Sequence, residues 1–140
     1  MQPTSIEPIK KLWPLRAAAL VAAAFGVLTI HAGGSVLFGD GAATAGNYVS
    51  YVVWFNFLAG FAYVGAAFGL WRARPWGAWA AIAIAGATAL MFAVFGVHVA
   101  SGGPFEMRTA WAMTLRTVVW TAIAAIAWRK GFRDDPVQAH

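Results

Sequence analysis

The sequence predicts an all-α integral membrane protein, a single four-helix bundle formed by 140 residues. Three observations lead there. Four long apolar stretches fill nearly the whole chain. Hydrophobic residues make up 61% of it and charged residues only 11%, too few polar groups to cover a water-facing surface. The basic residues gather at the ends of the stretches. These run from about Leu15 to Phe38, Tyr48 to Trp71, Trp76 to Val99 and Thr109 to Trp128, each close to the roughly 20 residues that a helix needs to cross hydrocarbon. The tails, Met1 to Lys11 and Lys130 to His140, are too short to fold alone, so residues 1–140 read as one domain.

The first span follows Lys10 and Lys11 and contains Arg16; Arg72 and Arg74 separate the second from the third; Arg129, Lys130 and Arg133 follow the fourth. By the positive-inside rule these three regions are cytoplasmic, both termini included, and the loops holding Asp40, Glu106 and Arg108 face outward. Trp13, Trp71, Trp76, Trp79 and Trp128 fall at the inner boundary and Tyr48, Tyr51 and Trp54 at the outer one, as interfacial aromatic belts do. Trp120, in mid-span, is the exception. A basic start before an apolar run also resembles a secretory signal peptide, with Ile30-His31-Ala32 as a poor cleavage site. The run exceeds a typical signal core, and its removal would leave three spans with basic loops on opposite sides, so it reads as a span.

Pro75 suits the first turn of the third helix, and Gly102-Gly103-Pro104 breaks the chain before the fourth. The segment from Gly39 to Asn47 reads as a small, polar loop able to act as a lid. Ala22-x-x-x-Gly26 and Gly65-x-x-x-Gly69 permit close helix approach, within the bundle or in a homo-oligomer. A faint repeat is visible: Phe25-Gly26-Val27 precedes His31, Phe95-Gly96-Val97 precedes His98, and Trp71-Arg72 and Trp128-Arg129 follow. Two parallel hairpins would turn the two histidines towards one another.

Several functions are excluded by composition. The chain has no cysteine, which removes disulfide exchange and thiolate metal ligation. The spans hold no Asp or Glu, the residues on which small proton-coupled exporters rely. The net charge of +5 lies at helix ends and not along a recognition stripe, so nucleic acid is not a partner; the lipid bilayer is.

The chemistry is left to a few polar residues within or above the spans. His31, Asn56 and Arg116 share a depth in the outer half, His98 lies nearer the outer surface, and Glu106 and Arg108 stand above the fourth span. Together they outline an outward-opening funnel. An arginine near mid-membrane costs about 2.5 to 3.5 kcal/mol on insertion scales, so Arg116 requires a partner. Asn56, helix carbonyls and Glu106 are the protein candidates; a carboxylate, a haem propionate, a lipid phosphate or a semiquinone oxygen are the others. Thr109, Met113, Arg116 and Trp120 share one helical face, which should point inward.

Three ligand chemistries fit. Haem b takes two histidines on facing helices, here His31 and His98. A copper or zinc ion takes the same pair with Glu106 or a methionine thioether. A quinone accepts hydrogen bonds from a histidine and Arg116. The chain resembles the many small four-span proteins of bacterial inner membranes, a likeness that assigns no residue roles. The expectation is a ligand- or cofactor-binding bundle in a redox or metal-handling context, with His31, Asn56, His98, Glu106, Arg108 and Arg116 at the site. The alternative is an accessory subunit of a larger membrane complex.

Overall fold

The computed structural model describes residues 7–132. Apolar sequence of spanning length gives four long helices, α1 (Glu7–Phe38), α3 (Ser50–Trp71), α4 (Pro75–Ala100) and α5 (Met107–Phe132), and a short α2 (Gly41–Ala45) joins the first two. All four are long and apolar enough to cross a membrane, over Leu12–Phe38, Ser50–Trp71, Pro75–Ala100 and Met107–Lys130. The fold is the all-α four-helix bundle that the sequence predicts. Its helices outrun the apolar stretches by up to two turns, because helical hydrogen bonding continues into water once a span has nucleated it. Arg133 and the last seven residues lie outside the described residues.

Around the bundle, α1 packs most extensively on α3, α3 on α4 and α4 on α5, while α1 and α5 meet along a shorter seam. Thus α1 and α4 stand on one diagonal and α3 and α5 on the other. Tyr63 and Trp120, each eight residues before a Trp-Arg pair, are fully buried and cross the centre with ring centroids 4.6 Å apart. Glycines set the helix spacing. A Cβ on Gly26 would lie 2.9 Å from the Gly60 carbonyl oxygen, and one on Gly77 would lie 2.5 Å from the Gly69 carbonyl carbon. Ala22 and Gly26 therefore serve packing of α1 on α3, whereas Gly65 faces open space.

The α3–α4 turn is closed by Ala73 N–H to the Leu70 carbonyl at 3.0 Å and Arg74 N–H to that of Gly69 at 2.9 Å, with Pro75 opening α4. This geometry puts Ala73 at φ 51°, a left-handed conformation that favours glycine. The α4–α5 turn has the same pattern with Gly102 at φ 82°. The α1–α3 connection is not the open loop of the sequence reading. Gly-Ala-Ala-Thr-Ala winds into α2, as alanine's high helix propensity favours.

The apolar core falls into two parts. Leu15, Ala18, Ala22, Tyr63, Leu70, Ala81, Trp120 and Ile123 belong to one that reaches towards the end where α1 begins and α5 finishes. Val49, Val52, Phe95 and Met113 form the other near the far end. Between them lie Thr29, Asn56, Thr88 and Arg116. Most large apolar side chains outside these clusters are exposed, among them Leu28 at 66% and Trp111 at 70%, as a hydrocarbon environment allows.

Candidate functional site

The polar layer that divides the core is the candidate site. Arg116 is only 8% exposed and follows Met107 by nine residues, which places its Cα about 13 Å down the helix at 1.5 Å per residue. Its contacts within the protein are poor. Nη2 donates to Thr29 Oγ1 at 3.5 Å and Nη1 approaches Met113 Sδ at 3.7 Å, distances at the outer limit for such bonds. Nε has no partner, and neither Asn56 nor Glu106 bonds to the guanidinium. Among the described residues, no carboxylate forms an ion pair with it.

A cavity of about 180 Å³ opens between α1, α3 and α5, lined by Thr29, Val52, Asn56, Arg108, Thr109 and Arg116. The Asn56 Oδ1 atom is buried and unpartnered. Two guanidinium groups, an amide and two hydroxyls therefore surround one space that has no acidic group in its lining. The donors of this set, the arginines, the Asn56 amide N–H and the hydroxyls, are complementary to oxygen acceptors, above all to an anion, because desolvated arginine gains most from a charged acceptor, whereas Asn56 Oδ1 itself calls for a donor. Trp120 Nε1 is also buried without a hydrogen-bond partner, and the Tyr63 and Thr88 hydroxyls are buried beside one another. They extend the polar layer across the bundle towards α4.

Of the six residues expected at the site, Asn56, Arg108 and Arg116 converge on this cavity and the other three do not. His31 is exposed on α1 and absent from the cavity lining. It follows Thr29 by two residues, or about 200° of helical rotation, so Thr29 facing Arg116 turns His31 outward. His98 is on the diagonal helix α4, where Nε2 lies 3.0 Å from the Pro104 carbonyl oxygen. A carbonyl can only accept, so Nε2 carries the proton in this arrangement. The ring also meets Tyr51 edge-on at 6.1 Å. Both interactions fasten His98 to the mouth.

Glu106 ties the two far-end connections together. Its Oε1 accepts the Asn47 N–H at 2.9 Å, and a Cβ on Gly46, which sits at φ 67°, would stand 2.6 Å from that oxygen and displace the carboxylate. The segment read as a lid is held by this bond. No group of three His, Cys, Asp or Glu among the described residues could hold a metal ion.

Thr29 is the site residue that sequence reasoning missed. A signal for it existed, since Ala22, Gly26, Thr29 and Gly33 repeat at four- and three-residue steps. Small residues at that spacing mark the face on which membrane helices approach. No protein family, curated protein or solved structure matches this chain.

Proposed function

We propose that this chain is a bacterial inner-membrane protein that binds a small ligand in the outer half of its bundle, through an oxygen-bearing, acceptor-rich group held by Arg116, Asn56 and Arg108. The observation that carries this reading is a buried arginine, poorly partnered within the protein, that lines an acid-free cavity together with Arg108 and Asn56. Buried polar groups are normally satisfied. Here Arg116 borders a space that could hold its partner.

The candidate chemistries rank accordingly. A quinone-like or anionic head group suits the donors present. Haem and a copper or zinc ion have less support, because His31 faces outward and His98, at the opposite corner of the bundle, is engaged by Pro104.

Binding to the folded state alone raises stability by RT ln(1 + [L]/Kd). Protein extracted in mild detergent should therefore lose thermal stability when stripped by a stringent detergent wash, and Arg116→Met protein should lose much less. Equal losses for the two would sink the reading. A wild-type chain that is stable only with a second polypeptide would replace it with the accessory-subunit reading.

A further inference from the structure

A second cavity lies against the first. It occupies about 290 Å³ along the loose seam between α1 and α5, and its lining is apolar except for Thr29 and Arg116, with Phe25, Leu28 and Leu115 as its large side chains. Thr29, Ala32, Ala112 and Arg116 line both cavities. Leu28 and Leu115 are 66% and 56% exposed on the surface of the spanning region, so this groove opens sideways into hydrocarbon. The guanidinium stands where a polar chamber and a lipid-facing groove join.

Resting on the reading above, we infer that the ligand is an anionic amphiphile: a phosphate or carboxylate head group seated between Arg116, Arg108 and Asn56, with its hydrocarbon tail in the α1–α5 groove. Charge complementarity selects the head, since the chamber presents two cations and no acid. Geometry selects the tail. A water-soluble anion would use the chamber alone and leave the groove irrelevant, whereas a membrane lipid of the outer leaflet reaches Arg116 laterally without crossing the loops that Glu106 ties down. Ala32 and Ala112, the small residues shared by the two cavities, leave the connection open. The short α1–α5 seam, in contrast to the extensive α1–α3 contact, makes this the face where a chain can lie between helices.

The test reconstitutes the full-length protein in nanodiscs made of equal parts phosphatidylglycerol and phosphatidylcholine, extracts it gently, and quantifies the lipid that stays bound. Arginine attraction of an anionic lipid corresponds to about fivefold per basic residue, so wild type should retain phosphatidylglycerol over phosphatidylcholine in a ratio at least about fivefold above that of the disc, and Arg116→Gln should lower that ratio about fivefold. A second measurement needs no variant: on wild type, hexadecanoate should displace the retained lipid and butyrate at equal concentration should not.

Unselective retention by wild type, or selective retention unchanged in Arg116→Gln, overturns the inference. So does equal displacement by long and short carboxylates. The two levels of the argument separate in phosphatidylcholine discs. If inorganic phosphate stabilises wild type and not Arg116→Gln there while no lipid is selected, the chamber binds a soluble anion and only the amphiphile falls. If neither phosphate nor lipid discriminates, the binding site itself falls.

Discussion

Arg116→Met should make the ligand-free bundle more stable, although it removes the most conspicuous polar contact between α1 and α5. Holding an arginine at this depth costs about 2.5 to 3.5 kcal/mol on insertion scales. The protein returns little of that. The Thr29 bond at 3.5 Å is of a kind that averages about 0.6 kcal/mol between membrane helices, and a thioether sulfur 3.7 Å away is a weak acceptor. About 2 to 3 kcal/mol remains uncompensated, from which imperfect filling of the site by an unbranched methionine removes about 1 kcal/mol. A gain of about 1 to 2 kcal/mol is therefore expected. Reversible unfolding in mixed micelles measures it, with protein stripped by the stringent wash on both sides of the comparison. A loss of more than about 1 kcal/mol would refute the reasoning, because Arg116 would then act as interhelical glue for the bundle itself.

Other parts of the molecule give independent expectations. Gly26→Val should destabilise the bundle by about 1 to 3 kcal/mol through overpacking against Val64 and the Gly60 carbonyl, while Gly65→Ala, in open space inside α3, should stabilise by about 0.5 to 1 kcal/mol. Ala73→Gly should stabilise by about 1 kcal/mol in the same assay, since it relieves a left-handed residue at φ 51°; a loss would mean that the turn is not held in that conformation. Glu106→Gln should raise hydrogen exchange at the Asn47 amide several-fold by weakening a charge-assisted bond of 2.9 Å, and unchanged exchange would remove Glu106 as the tie. In native mass spectra, His31→Ala protein should keep whatever ligand wild type carries, and its loss would restore His31 to the site.

The bundle was legible because its signals are coarse. Four spans, Pro75 at a helix start and Gly102 at a helix end follow from length and backbone chemistry, as does the inward face of α5, where Met113 and Trp120 share the side of a charge, Arg116, that cannot face lipid. Alanine-rich α1 offered no comparable contrast, so neither hydropathy nor the repeat could orient His31. The small-residue stripe from Ala22 to Gly33 carried that information. The roles of Glu106 and His98 depend on Asn47 and Pro104, partners set by the path of the connections and not by any spacing in the sequence. Arg116 was recognisable as a buried charge in need of a partner. That the need is left unmet by both Asn56 and Glu106 is a fact of three-dimensional placement.

Native mass spectrometry of the protein extracted gently from its own host membrane tests the central claim most directly. The account predicts a discrete additional mass on wild type that is lost in Arg116→Met and in Asn56→Leu. A bare wild-type chain, or the same mass retained by Arg116→Met, would contradict it.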